Sequence, residues 1–212
     1  MYKIYYLDFF GRSECMRLLF DHFSLPYTDV VLTQPDLQAL KLEQGKLEFG
    51  QVPVIETPEG AFLCQSLAIL RYLGRKYGAY PESDAHTAYL IDSTIDGMED
   101  YINHFFKYHM TPQDHPLKSE LREKWLSFSD TLFSVLEKRQ PKEAKYFLGC
   151  ENITIADFAL AAFIYMMVLN EANPHYEAIK PVWDKHEGLH RYAEGLYELF
   201  KTRFESRGKK PF

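Results

Sequence analysis

The sequence predicts an α/β module over residues 1–78, a short linker at 79–83, and an all-α module over 84–212. Three observations carry that division. Before residue 78 the apolar spacing switches back and forth between strand alternation and helical period. "AYPES", residues 79–83, then breaks the pattern with turn-forming residues. After residue 84 no segment has the alternation of a strand, and every long apolar stretch has helical period.

The elements follow in order. "KIYYL" (3–7) is rich in β-formers and reads as a strand. "SECMRLLFDHF" (13–23) has apolar residues at 15, 16, 18, 19, 20 and 23, a helical pattern. "YTDVVL" (27–32) is a second strand, and residues 33–51 read as irregular. "VPVIE" (52–56) and "AFL" (61–63) form a hairpin across the turn residues "TPEG", and a helix follows over 65–77. Later helices are expected over 85–110, 117–138, 154–172 and 188–203. In "NITIADFAL", Thr154 is an N-cap with Asp157 at N3, the spacing of a capping box. Ile153 and Phe158 then form the hydrophobic staple, and the apolar run beyond them predicts a central buried helix.

The chain has 212 residues, 46% hydrophobic and 25% charged, with net charge −6. An acidic balance argues against nucleic acid or an anionic membrane as the main partner. No window is long and apolar enough for a membrane span, and Asp8 and Arg12 interrupt the start where a secretion signal needs an apolar run. Cys15, Cys64 and Cys150 are far apart and form no C-x-x-C pair, so a reducing, cytoplasmic location without disulfides is expected.

Pro53 poses the functional question, because a proline at the mouth of a strand gives up a ladder N–H. A cis Val52–Pro53 bond would turn the backbone groups of Val52 outward for an extended peptide to pair with. Nearby, Gln65-Ser66 opens a helix whose unpaired N–H groups suit a carboxylate. Together they fit a short, acidic, peptide-like ligand.

Tyr6 with "LDFFGR", then "FGQVPVIE", "QSLAILRYLGRKYG", "DGMED" and "ITIADF" resemble, in order and along essentially the whole chain, the cytosolic glutathione transferases that use a catalytic tyrosine (sigma, pi or mu). The resemblance implies a thioredoxin-like domain, β-α-β-α-β-β-α with a cis-proline, followed by a helical bundle. It implies glutathione as co-substrate, no other cofactor, no metal, a hydrophobic electrophile as second substrate, and a homodimer.

By that resemblance Tyr6 is the catalytic tyrosine. Tyr5 is its rival, but alternation sends it to the other face of the strand. Arg12 lies beside the thiol. Gln65 and Ser66 hold the γ-glutamyl carboxylate, and Val52, with Pro53, makes the backbone contact. Gln51 touches the glycyl side. The family's usual tryptophan is absent from 33–51, where "DLQALK" offers Leu37; Lys41 or Lys46 is left to hold the glycyl carboxylate. Asp100 reaches across the dimer to the γ-glutamyl amine, and Phe49 is an interface key. Leu7, Phe9, Tyr108, His109 and Met110 line the hydrophobic site.

Three rival readings share these residues: a glutathione-dependent prostaglandin-type isomerase, a non-catalytic structural or carrier protein, and a thiol-disulfide enzyme. The last needs a cysteine where the first strand meets the first helix, and Cys15 lies too far along. "HEGLH" (186–190) matches a zinc-protease spacing, but Gly188 weakens a helix there and an exposed histidine pair is expected instead.

Overall fold

The computed structural model describes residues 1–43 and 45–212. The first half is a four-stranded sheet in the order β2-β1-β3-β4, built from β1 (Tyr2–Tyr6), β2 (Tyr27–Val31), β3 (Val54–Glu56) and β4 (Phe62–Cys64). β1 runs parallel to β2 and antiparallel to β3, and β3 runs antiparallel to β4. A parallel pair needs a crossover, which α1 (Glu14–His22) supplies. The first half also contains α2 (Gln34–Leu42) and α3 (Ser66–Tyr77). The second half is helical: α4 (Ala85–His109), α5 (Lys118–Arg139), α6 (Ile155–Phe163), α7 (Tyr176–Trp183) and α8 (His190–Ser206).

Three expectations need correction. Residues 33–51 are not wholly irregular, because α2 begins where Thr33 Oγ1 accepts Asp36 N–H at 3.3 Å and Asp36 accepts Thr33 N–H at 2.9 Å. That box was written in "TQPD", with Pro35 in the first helical turn where its missing N–H costs nothing. α7 was not foreseen; Pro181 in "YEAIKPVW" reads as a breaker but lies near the helix's C-terminal end. The helix expected over 154–172 instead ends at Phe163, and Ile164–Val168 forms one π-helical turn, closed by Leu169 N–H on Ile164 O at 2.7 Å.

The halves share one core. On α1, Leu18 and Leu19 are fully buried, as is Phe158 on α6. His22 meets Phe158 edge-on at 5.5 Å. α3 approaches α6 at Gly74, where an added Cβ would sit 2.3 Å from Ile155 Cγ2, so only glycine permits that spacing. Glu14, with no exposed surface, joins α1 to α8 through Arg203 (3.4 Å) and to the segment beyond through Arg207 (3.2 Å), with Arg17 at 3.1 Å. Burial alone would raise its carboxyl pKa, but Arg203, Arg17 and Arg207 hold it below the usual range.

Candidate functional site

A cavity of about 320 Å³ opens between the halves. One wall is the end of β1 and the turn after it, with Tyr6, Phe9, Gly11, Arg12 and Cys15. A second is α4, where Ile95, Glu99, Ile102, Phe106 and His109 step by four and three residues along one helix face. A third is α6 and its π turn, from Ala159 to Met167. Met98 on α4, Ser66 and Leu67 at the start of α3, Met110, and Phe212 complete the lining.

Tyr6 ends β1, and its Oη accepts the Arg12 backbone N–H at 3.2 Å. Gly11, at φ 45°, lets the loop close on the ring; a Cβ there would lie 2.4 Å from Tyr6 Oη. Burial raises the phenol's pKa, against the lowering pull of the Arg12 N–H and the charges of Arg12 and Arg17. The phenol is therefore neutral at pH 7. Because it accepts from Arg12, its own O–H remains available to donate. Tyr5 lies on the other face as expected, donating to Glu56 at 2.6 Å.

Arg12 makes a two-pronged ion pair with Glu99 at 2.5 and 2.6 Å, tying the turn to α4. Cys15 is buried, and burial pushes its thiol up to about 12, so it is an unreactive thiol in the cavity wall.

The start of α3 is open. Among the described residues no side chain caps it, and Gln65 stands at the cap position with φ 70° and ψ 104°, a sparsely populated conformation for a residue with a Cβ. Ser66 is buried and Gln65 exposed. The Val52–Pro53 bond is cis, and the backbone N–H and C=O of Val52 have no backbone partner among the described residues.

Of the residues singled out from sequence, Tyr6, Arg12, Ser66, Phe9, His109 and Met110 gather on the cavity. Leu7 and Tyr108 do not. Leu7 follows Tyr6 directly and alternation turns it away. Tyr108 falls off the 102–106–109 face and is buried in the core, stacked on Trp125 at 5.4 Å. Gln65 borders the cavity through Ser66, while Gln51, Val52 and Pro53 lie outside its lining. Lys41 and Asp100 are exposed, Lys46 pairs with Glu43, and Phe49 is 57% exposed. His186 is not exposed, as had been expected of it: it is buried, 3.1 Å from Asp130 and 3.4 Å from Glu137.

Sequence reasoning passed over Glu99, His175 and Phe212. Glu99 was legible as a member of the α4 stripe beside Asp100. His175, 2.9 Å from His109, and Phe212, edge-on to His109 at 5.3 Å, come from distant segments and carried no local signal.

Residues 2–75 match the family model described as "Glutathione S-transferase, N-terminal domain". Glutathione S-transferase 1 of Ascaris suum is 29% identical over 100% of this chain and 98% of its own length. Hematopoietic prostaglandin D synthase of Gallus gallus is 30% identical, covering 95% of this chain and 98% of its own length. The crystal structure of the glutathione S-transferase from Ascaris lumbricoides superposes with a TM-score of 0.80 at 27% identity, covering 100% of both chains. The mixed sheet with its helices, the helical second half and relatives matched end to end establish that the chain belongs to the glutathione S-transferase family.

Proposed function

We propose that the chain joins the thiolate of glutathione to hydrophobic electrophiles, with Tyr6 as the catalytic residue. The observation that carries this reading is the Tyr6 Oη held by the Arg12 N–H, with its own proton free to be donated into an apolar cavity. A free thiol has a pKa of about 8.5, so only a few per cent is ionised at pH 7. A phenol O–H donated to sulfur favours the anion, and the neutral phenol of Tyr6 suits a donor better than a base. Holding both substrates in one cavity adds the advantage of proximity.

Glutathione would lie along residues 1–78, with its γ-glutamyl carboxylate at the open start of α3 (Gln65, Ser66) and its backbone paired with Val52. Gln51 and either Lys41 or Lys46 would face the glycyl end. The electrophile would occupy the α4–α6 side, in the helical half, 84–212. Phe49 and Asp100, both exposed, would serve a homodimer: Phe49 as the interface key, Asp100 reaching the partner's glutathione. Sedimentation of Phe49→Ser, compared with the unaltered chain, tests the dimer.

A second reading, isomerisation of a prostaglandin-type endoperoxide by the same thiolate, is supported by the similarity to a prostaglandin D synthase. Turnover of glutathione with an aryl halide, run beside an endoperoxide, separates the two. Aryl conjugation supports the transferase reading. Endoperoxide turnover without it supports the isomerase.

A further inference from the structure

The turn between β1 and α1 carries the contact on which Tyr6 depends, the Arg12 N–H on Tyr6 Oη at 3.2 Å. The residue before that N–H is Gly11, at φ 45°, and a residue without a Cβ is the easiest link in a chain to rotate. The peptides on the other side of Gly11 are held from α1. Arg17 is 5% exposed, and its Nη1 donates to Phe9 O at 3.2 Å and to Phe10 O at 3.1 Å. The Ser13 hydroxyl also donates to Phe10 O, at 3.2 Å. The guanidinium is aimed in turn by two carboxylates. Its Nε donates to Asp29 on β2 at 2.9 and 3.1 Å, and its Nη1 meets Glu14 at 3.1 Å. The Phe10 side chain is fixed separately: it is buried, with Arg207 Cζ 4.0 Å from its ring centroid. Arg207 therefore keeps the turn in its place in the fold, while Arg17 sets the orientation of its peptides.

We propose that Arg17 is a positioning residue for the reaction: it fixes the Phe9 and Phe10 carbonyls on one side of Gly11 so that the Arg12 N–H on the other side stays on Tyr6 Oη. The inference rests on the transferase reading and adds a residue to it. Arg17 does not line the cavity and acts through the turn. A phenol that accepts one hydrogen bond donates a stronger one, because each bond polarises the next. A turn free to rotate at Gly11 loses that polarisation first. Burial raises the Tyr6 pKa, and the Arg12 N–H, the charge of Arg12 and the charge of Arg17 pull against it, so Arg17 acts by charge as well as by geometry. Lysine separates the two. It keeps the positive charge but replaces a rigid planar fork with one ammonium on a flexible stem, which cannot hold the same carbonyls and carboxylates in fixed directions.

The test reads the pH midpoint at which protein-bound glutathione ionises, by difference absorbance of the thiolate. A midpoint does not depend on how much of a preparation is folded, so a destabilised variant stays informative. In Arg17→Lys the midpoint should rise by about one unit, with kcat falling and KM for glutathione within about twofold of wild type. Asp29→Asn lies outside the cavity, keeps every atom of Arg17 and only loosens its aim. It should raise the midpoint by about 0.3 unit, and it carries the test alone if Arg17→Lys fails to fold. A residue that only stabilises the fold would lower the melting temperature and leave the midpoint in place. Midpoints within about 0.1 unit of wild type in both variants overturn the inference. A wild-type midpoint at the free-thiol value of about 8.5 overturns the transferase reading of Tyr6 itself.

Discussion

The first turns of α3 and α6 begin in opposite ways. At α6 the turn is closed from within: Asp157, fully buried, accepts from Phe147 N–H (2.7 Å), Thr154 N–H (2.8 Å), the Thr154 hydroxyl (3.0 Å) and the Tyr192 hydroxyl (2.7 Å), and Ile155 N–H donates to Ala79 O at 2.9 Å. At α3 no side chain among the described residues caps the helix, and the cap residue, Gln65, has a positive φ. One terminus is closed inside a core. The other is left open and strained at the border of a cavity, and strain of that kind is kept where it serves binding. Breaking the first should damage stability, and breaking the second should damage affinity.

Asp157→Ala is the most severe test of the closed end. It orphans buried donors on Phe147, Thr154 and Tyr192, and unfolding in denaturant should show a loss of about 4 kcal/mol. Activity per folded molecule should change little. A loss under about 1 kcal/mol would mean that the carboxylate does not hold this turn.

Glu14→Gln probes the other buried carboxylate, at the seam between α1 and α8, and should cost about 3 kcal/mol at neutral pH, because Arg207 loses the one carboxylate it meets among the described residues while Arg17 and Arg203 keep only Asp29 and Asp21. Glu14 has a folded pKa below its usual value. Its contribution is therefore present above the ordinary glutamate range and is lost as pH falls through that range toward the folded value. Melting temperature against pH should accordingly fall less steeply on the acid side in Glu14→Gln than in wild type. Parallel acid limbs would place the sensitivity elsewhere.

At the open end the expected effect on folding is smallest. Gln65→Gly should leave stability within about 0.5 kcal/mol, because relief of the positive φ offsets the freedom glycine adds to the unfolded chain. Glutathione affinity should drop roughly tenfold by calorimetry, about 1.4 kcal/mol. A destabilised variant with unchanged affinity would make Gln65 an ordinary helix-start residue.

The same contrast explains what was legible in the sequence. The closed end of α6 is a local code, Thr154 to Asp157, and could be read directly, although the bonds from Phe147 and Tyr192 could not, because their partners lie 10 and 35 residues away. "TQPD" carries the same code for α2, at Thr33 and Asp36. Strand alternation correctly separated Tyr5 from Tyr6. Helical spacing, applied strictly to α4, would have kept Tyr108 out of the cavity and brought Glu99 in. The His109–His175 contact joins segments 66 residues apart, and nothing in either segment announces the other.

If Tyr6 donates to the glutathione sulfur, the pKa of the bound thiol reports it. Difference absorbance of the thiolate, titrated against pH with glutathione bound, should show a pKa lowered by about two units from the free value of about 8.5, a stabilisation of about 2.7 kcal/mol. In Tyr6→Phe the pKa should return most of the way to the free value, with glutathione affinity nearly unchanged. A bound thiol with the same lowered pKa in both proteins would contradict the claim.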